Sequence, residues 1–184
     1  MTEDRNMDFS PDDMQKKLLI LFILEKMEFP LTDGSLSEIV VANPTWINYM
    51  DFRDALFMLS ESRLVMRKSH ASDTSFSITQ SGRDCLAHFY TKIPASIREE
   101  ITKYAKDNRN RFKRSQEYTY DYFKNSDATH TLVLRIRDHA AGDNLLEVKI
   151  KTPSRSHAVK AAAKWKDKAA GLYEMINSFV EGVE

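Results

Sequence analysis

The chain has 184 residues, 42% of them hydrophobic and 29% charged, with 27 basic side chains against 27 acidic ones. That length holds one large domain or two small ones, and that composition supports packed cores, which excludes a disordered chain. The longest apolar run, Leu18 to Leu24, falls far short of the roughly 20 residues that a membrane-spanning helix needs, so no membrane partner is expected.

The polar start of the sequence lacks the apolar stretch of a secretory signal, and the single cysteine, Cys85, can form no internal disulfide. Both features predict a cytoplasmic protein. Charge is unevenly distributed: the first 92 residues carry ten basic and fourteen acidic side chains, a balance of −4, which leaves +4 for the remainder. A protein held to DNA by phosphate attraction is ordinarily more basic than such an N-terminal half.

In chain order, Ser10-Pro11-Asp12-Asp13 places a capping serine, a proline and two acids at the start of a first helix running from about Pro11 to Met27. Ser35-Leu36-Ser37-Glu38 has the spacing of a capping box and predicts a short second helix ending near Ala42. Asn43-Pro44 restarts the chain into a third helix, with Phe52, Ala55, Leu56 and Leu59 on one face and its end near Ser62. The period then becomes alternating. Leu64–Lys68 and Ser75–Thr79 flank the polar segment Ser69–Thr74 as a hairpin, and Thr79 caps a fourth helix that stops before Ile93-Pro94.

This order predicts a winged helix-turn-helix domain over residues 1–93. The segment Phe76-Ser77-Ile78-Thr79-Gln80-Ser81-Gly82 resembles the aromatic-x-Leu-Thr-x-x-Gly ending of many bacterial regulators of that kind.

Residues 94–184 read as an α-β-β-β-α domain that dimerises or senses, which makes the whole chain α+β. Ser96-Ile97-Arg98-Glu99 has capping-box spacing, with Ile97, Ile101, Tyr104 and Ala105 facing inward on the helix that follows. Alternating segments Tyr118–Tyr122, His130–Asp138 and Leu146–Ile150, with turns at Asn125-Ser126-Asp127 and Ala141–Asn144, predict a three-stranded antiparallel sheet. Ser154 caps one last helix whose stripe Val159, Ala162, Ala163, Ala169, Tyr173, Ile176 and Phe179 lies on the sheet. A second stripe, containing Ala158, Ala161, Trp165, Leu172 and Met175, is left over, and Trp165, Leu172 and Met175 are expected to form a homodimer contact.

Ile47-Asn48-Tyr49 leading to Ala55-Leu56, Ile93-Pro94 with Ser96-Ile97-Arg98, Leu145–Ile150, and Trp165-Lys166 leading to Tyr173 carry a likeness that spans nearly every segment. In these the chain resembles one bacterial family, the domain of unknown function 4364. Its members are described as winged-helix-like regulators, so the resemblance implies that fold and a regulatory role. It brings no catalytic or ligand residues.

Catalysis, cofactors and metals are not expected. His70, His88, His130, His139 and His157 lie on different elements without the close spacing of a zinc set, and Cys85 reads as a small buried hydrophobe. Phosphate loops, dinucleotide fingerprints and nucleophile elbows are missing. Double-stranded DNA is the expected partner, contacted by Ser35 and Ser37 of the second helix, by Thr45, Trp46 and Asn48 in the N-terminal turn of the third, and by Arg67, Lys68 and His70 of the hairpin. The alternative is a winged-helix module that binds protein without touching DNA, through an apolar and acidic outer face of the third helix carrying Trp46, Ile47 and Met50 beside Asp54 and Glu61.

Two further patterns stay open. The basic run Lys103, Lys106, Arg109, Arg111, Lys113 and Arg114 is a solvated helix and linker or a phosphate contact. Tyr118, Tyr120 and Tyr122 share a strand face that is core or pocket lining.

Overall fold

The computed structural model describes residues 12–70, 73–138 and 143–182. Among them are seven α-helices and two three-stranded antiparallel sheets. The chain divides into two compact units between Arg109 and Asn110, later than the expected boundary after residue 93.

Unit 1 contains α1 (Asp13–Met27), β1 (Leu31–Thr32), α2 (Asp33–Ala42), α3 (Tyr49–Glu61), β2 (Val65–His70), β3 (Asp73–Ile78), α4 (Gln80–His88) and the first part of α5 (Ala95–Glu117). Every side chain from Leu18 to Leu24 is buried, so α1 is apolar all round and serves as the central helix, touching α3, α4 and β3. Its cap is Asp12, whose carboxylate accepts from the Gln15 backbone while the Gln15 side chain accepts from the Asp12 N–H. Ser10, the expected cap, lies outside the described residues.

Two other helix starts differ from expectation for local reasons. The short strand β1 pairs with β3 and brings Thr32 into position to cap α2, so Ser35 sits inside the helix and donates its backbone N–H to Thr32 Oγ1. Helix α3 begins at Tyr49 rather than at Pro44, because Asn48 Oδ1 accepts from the Asp51 backbone at 2.9 Å and fixes the cap there.

The hairpin forms as expected, with register Val65↔Ile78 through His70↔Asp73, and its strands run further than the sequence pattern indicated. Thr79 caps α4, accepting from Gly82 N at 3.0 Å, and its hydroxyl points at the carbonyls of Arg63 and Leu64. Gly82 lies so close to β2 that a Cβ there would fall 2.2 Å from the Leu64 carbonyl oxygen. The Thr-x-x-Gly spacing therefore joins the start of α4 to the strand that follows α3.

The unit reaches Arg109 because α5 is tied into it. Arg109 bonds Glu28 at 2.6 Å and the Lys26 carbonyl at 2.8 Å, at the C-terminal end of α1, where a cation also meets the helix dipole favourably. Ile97, Ile101 and Ala105 are buried, as their spacing predicts. The basic run is not a linker: α5 continues unbroken to Glu117.

Unit 2 begins at Asn110 and contains the last turns of α5, then β4 (Tyr118–Lys124), β5 (His130–Arg137), β6 (Asn144–Thr152), α6 (Arg155–Ala163) and α7 (Trp165–Glu181). The sheet order is β4-β5-β6, and residues 139–142, which include the predicted Ala141-Gly142 turn, lie outside the described residues. Ser154 caps α6 as predicted. The last helix is two helices, however, divided at Lys164, and the inward stripe is Ala158, Ala162, Trp165 and Ala169 rather than the stripe that begins with Val159. Those residues recur at i, i+4, i+7 and i+11, a continuous helical face that meets Leu132, Leu134 and Ile136.

Candidate interaction surfaces

Among the described residues no helix is long and apolar enough to cross a membrane, and no group of three His, Cys, Asp or Glu side chains is placed to hold a metal ion. The surfaces with chemical character lie on α3, on the β2–β3 hairpin and along α5.

The loop 43–48 is where the sequence expectation fails most clearly. Trp46 and Ile47, expected on an outer face, are each only 2% exposed. They precede α3 instead of riding on it, so the helical angle that turned them outward does not apply. Trp46 Nε1 donates to Glu100 at 2.9 Å, and its ring meets Tyr104 edge-on at 5.6 Å. The indole is a structural clasp onto α5.

Other expected DNA contacts divide in the same way. Ser35 is buried, and its hydroxyl accepts from Thr32 Oγ1; Ser37 Oγ is enclosed without a hydrogen-bond partner. Asn48 is exposed, but its amide is engaged twice with Asp51 as the α3 cap. Thr45 is exposed. Arg67 and Lys68 are exposed on β2, where strand alternation sends them to opposite sides of the hairpin. The His70 side chain lies outside what is described.

Helix α3 presents a solvent face unlike that of a phosphate binder. Phe52, Ala55, Leu56 and Leu59 are buried, leaving Met50 (69% exposed), Asp54, Phe57 (67%), Met58 (52%) and Glu61 to solvent. The flanking charges are already engaged: Arg53 pairs with Asp33 at 2.6 Å, and Asp51 with Lys16 at 3.1 Å. Sequence reasoning identified Met50, Asp54 and Glu61 on this face and missed Phe57 and Met58. The missed pair follows from the same period once Phe52 and Leu59 are set inward.

Along α5 an open groove of about 410 Å³ is lined by Tyr90, Arg98, Thr102, Lys103 and Lys106, with the Arg98 guanidinium 4.3 Å above the Tyr90 ring. In unit 2, Tyr118 and Tyr122 pack against the core while Tyr120 is exposed, so the tyrosine stripe is mostly core. Trp165, expected at a dimer contact, is 3% exposed and donates Nε1–H to the Arg135 carbonyl; Leu172 also packs on the core. Of the expected dimer residues only Met175 projects freely, beside Phe179 and Val180 on α7.

A family model matches residues 16–179, a span that runs from α1 into α7. The chain belongs to the domain of unknown function family DUF4364. The DUF4364 match covers the surfaces just described, on α3, the hairpin and α5. Neither a curated protein nor a solved structure matches the chain.

Proposed function

We propose that this DUF4364 chain is a transcriptional regulator whose N-terminal unit is a winged helix-turn-helix, acting on double-stranded DNA as a homodimer. Support for the fold is the order helix, strand, helix, helix, strand, strand with sheet order β1-β3-β2, in which β2 and β3 form the wing. The observation that carries the DNA reading is the pair Arg67 and Lys68, exposed on that wing with no ion pair among the described residues. The wing meets phosphate, and Thr45 is an exposed polar group in the loop before α3. Base reading by the middle of α3 is disfavoured, because Asp54 and Glu61 repel the backbone.

The homodimer part rests on α7, where Met175, Phe179 and Val180 remain uncovered. A two-fold dimer matches the symmetry of paired half-sites.

The test is a titration against fragmented genomic DNA at two salt concentrations, with Arg67→Ala/Lys68→Ala as the comparison. Selective retention that falls steeply with salt is expected, with the slope flattened by about 2 in the double variant if each side chain neutralises one phosphate. Retention that ignores salt, or that survives the double variant unchanged, overturns wing-mediated binding. Absence of retention overturns direct DNA binding and leaves the module reading. Sedimentation of Met175→Glu/Phe179→Glu tests the dimer: the parent runs as a dimer and the variant as a monomer.

A further inference from the structure

We infer that the solvent face of α3 is a docking surface for a basic amphipathic helix of a protein partner. Met50, Asp54, Phe57, Met58 and Glu61 recur at i, i+4, i+7, i+8 and i+11, so they form one continuous strip. At about 1.5 Å per residue it is roughly 16 Å long, about three turns of a facing helix. Large apolar side chains this exposed are not part of the unit's core, which α3 already completes through its opposite face.

The charges select the occupant. Asp54 interrupts the apolar strip and Glu61 ends it, and neither has an ion pair among the described residues, whereas the neighbouring Arg53 and Asp51 are neutralised by Asp33 and Lys16. Two unpaired carboxylates, one between the apolar anchors and one at their end, exclude a phosphate backbone and an anionic lipid surface. A second copy of the same face supplies no free cation to meet them. A helix with apolar residues at i, i+3 or i+4, and i+7, flanked by Lys or Arg, fills the strip and pairs both acids. The surface is separate from the wing cations, so it stands whether or not the wing binds DNA.

The test uses two labelled 14-residue helical peptides, one of leucine and lysine in that spacing and one with glutamate in place of lysine, read by fluorescence anisotropy against the full chain. The lysine peptide binds and the glutamate peptide does not. Met50→Ser/Phe57→Ser weakens the lysine peptide at least about tenfold, as loss of central anchors does. Asp54→Lys/Glu61→Lys exchanges the preference, so that the glutamate peptide binds. Arg67→Ala/Lys68→Ala leaves both affinities unchanged. All four side chains altered on α3 are solvent-facing, so each variant should keep the parent melting temperature, which is checked first. No binding, or lysine-peptide binding indifferent to both α3 variants, overturns the proposal. Loss in the serine variant without exchange in the lysine variant overturns the basic character of the partner.

Discussion

In unit 1 the sheet leans on a helix whose side chains from Leu18 to Leu24 are all buried, while the helices of unit 2 contribute three alanines and one tryptophan to their core. The first kind of core spreads its apolar area over many aliphatic residues. The second brings helix and strands close together through Ala158, Ala162 and Ala169, then relies on Trp165 for volume. Unit 2 is accordingly the more exposed to a single substitution. Trp165→Ala should cost about 3–5 kcal/mol in unit 2, the range for deleting a buried aromatic ring. Hydrogen exchange should show β5 amides losing protection. Trp46, then the only tryptophan left of two, should report an unaltered unit 1. A β5 that keeps its protection would mean that the alanine contacts alone sustain the unit.

Glycines make the next contrast, because the same substitution should have opposite signs in the two units. A Cβ at Gly82 meets the Leu64 carbonyl at 2.2 Å and the Ile78 side chain at 2.8 Å. The backbone cannot yield there without parting α4 from β2, so Gly82→Ala should destabilise unit 1 by about 2–3 kcal/mol. At Gly171, inside α7, a Cβ meets nothing within 4 Å. Alanine there should stabilise unit 2 by about 0.5–1 kcal/mol, through helix propensity alone. Urea denaturation of both variants checks the pair, and equal shifts of one sign would refute the reading of Gly82 as a close-approach position.

The tryptophans differ in a subtler way. Both indoles donate, but Trp165 meets a backbone carbonyl, that of Arg135 at 3.2 Å, whereas Trp46 meets the side-chain carboxylate of Glu100 at 2.9 Å. Trp46→Phe keeps most of the ring and loses that bond, for a cost of about 1–2 kcal/mol to unit 1. Glu100→Gln, which retains an acceptor, should cost less. Equal costs would show that charge rather than the hydrogen bond holds the clasp.

Much of this architecture was legible from residue patterns. Thr79 and Ser154 cap the helices they were expected to cap, the hairpin and the three later strands fall where alternation put them, and Ile97, Ile101 and Ala105 face inward. What escaped reading depends on tertiary partners. Strand β1 is two residues long and exists because β3 pairs with it, and its presence moves the α2 cap from Ser35 to Thr32. Trp46 was placed by a helical wheel that does not reach it, since Asn48 starts α3 after it. In the last helices both candidate stripes contained members of the true one. Alanine is common on either side of a helix, so Ala158 and Ala162 gave no clear direction, and Trp165 was assigned outward although its ring fills the core. Arg67 and Lys68 lie exposed on the hairpin, and the outward places of Phe57 and Met58 follow from the same helical period that turns Phe52 and Leu59 inward.

The smallest expected difference is in how the two units respond to pH. On the sheet face of unit 2 away from its core, the Arg135 guanidinium, 2.8 Å away, and then Lys149 hold the Glu147 carboxyl below its usual range. Lys151, followed by Thr129, holds Asp127 further below its own. A carboxyl depressed in the folded state contributes stability above its unfolded pKa and loses it as the pH falls toward the folded value. In unit 1 the shifted surface amine is Lys16, raised by hydrogen bonds to Asp51 and then Asp13. Its contribution is complete below the ordinary lysine range and is lost as the pH rises through the raised value. Unit 2 should therefore soften on the acid side, below about pH 4, and unit 1 on the alkaline side, above about pH 10. Each shift of melting temperature should be small and salt-sensitive, because these groups are largely solvated. Fluorescence melts of the two single-tryptophan variants, Trp46→Phe for unit 2 and Trp165→Phe for unit 1, separate the responses. Arg135→Gln should remove the Glu147 share of the acid limb of unit 2, keep the share that Lys151 gives Asp127, and leave the alkaline limb of unit 1 alone. An acid limb unchanged in that variant would place the sensitivity on carboxylates other than Glu147.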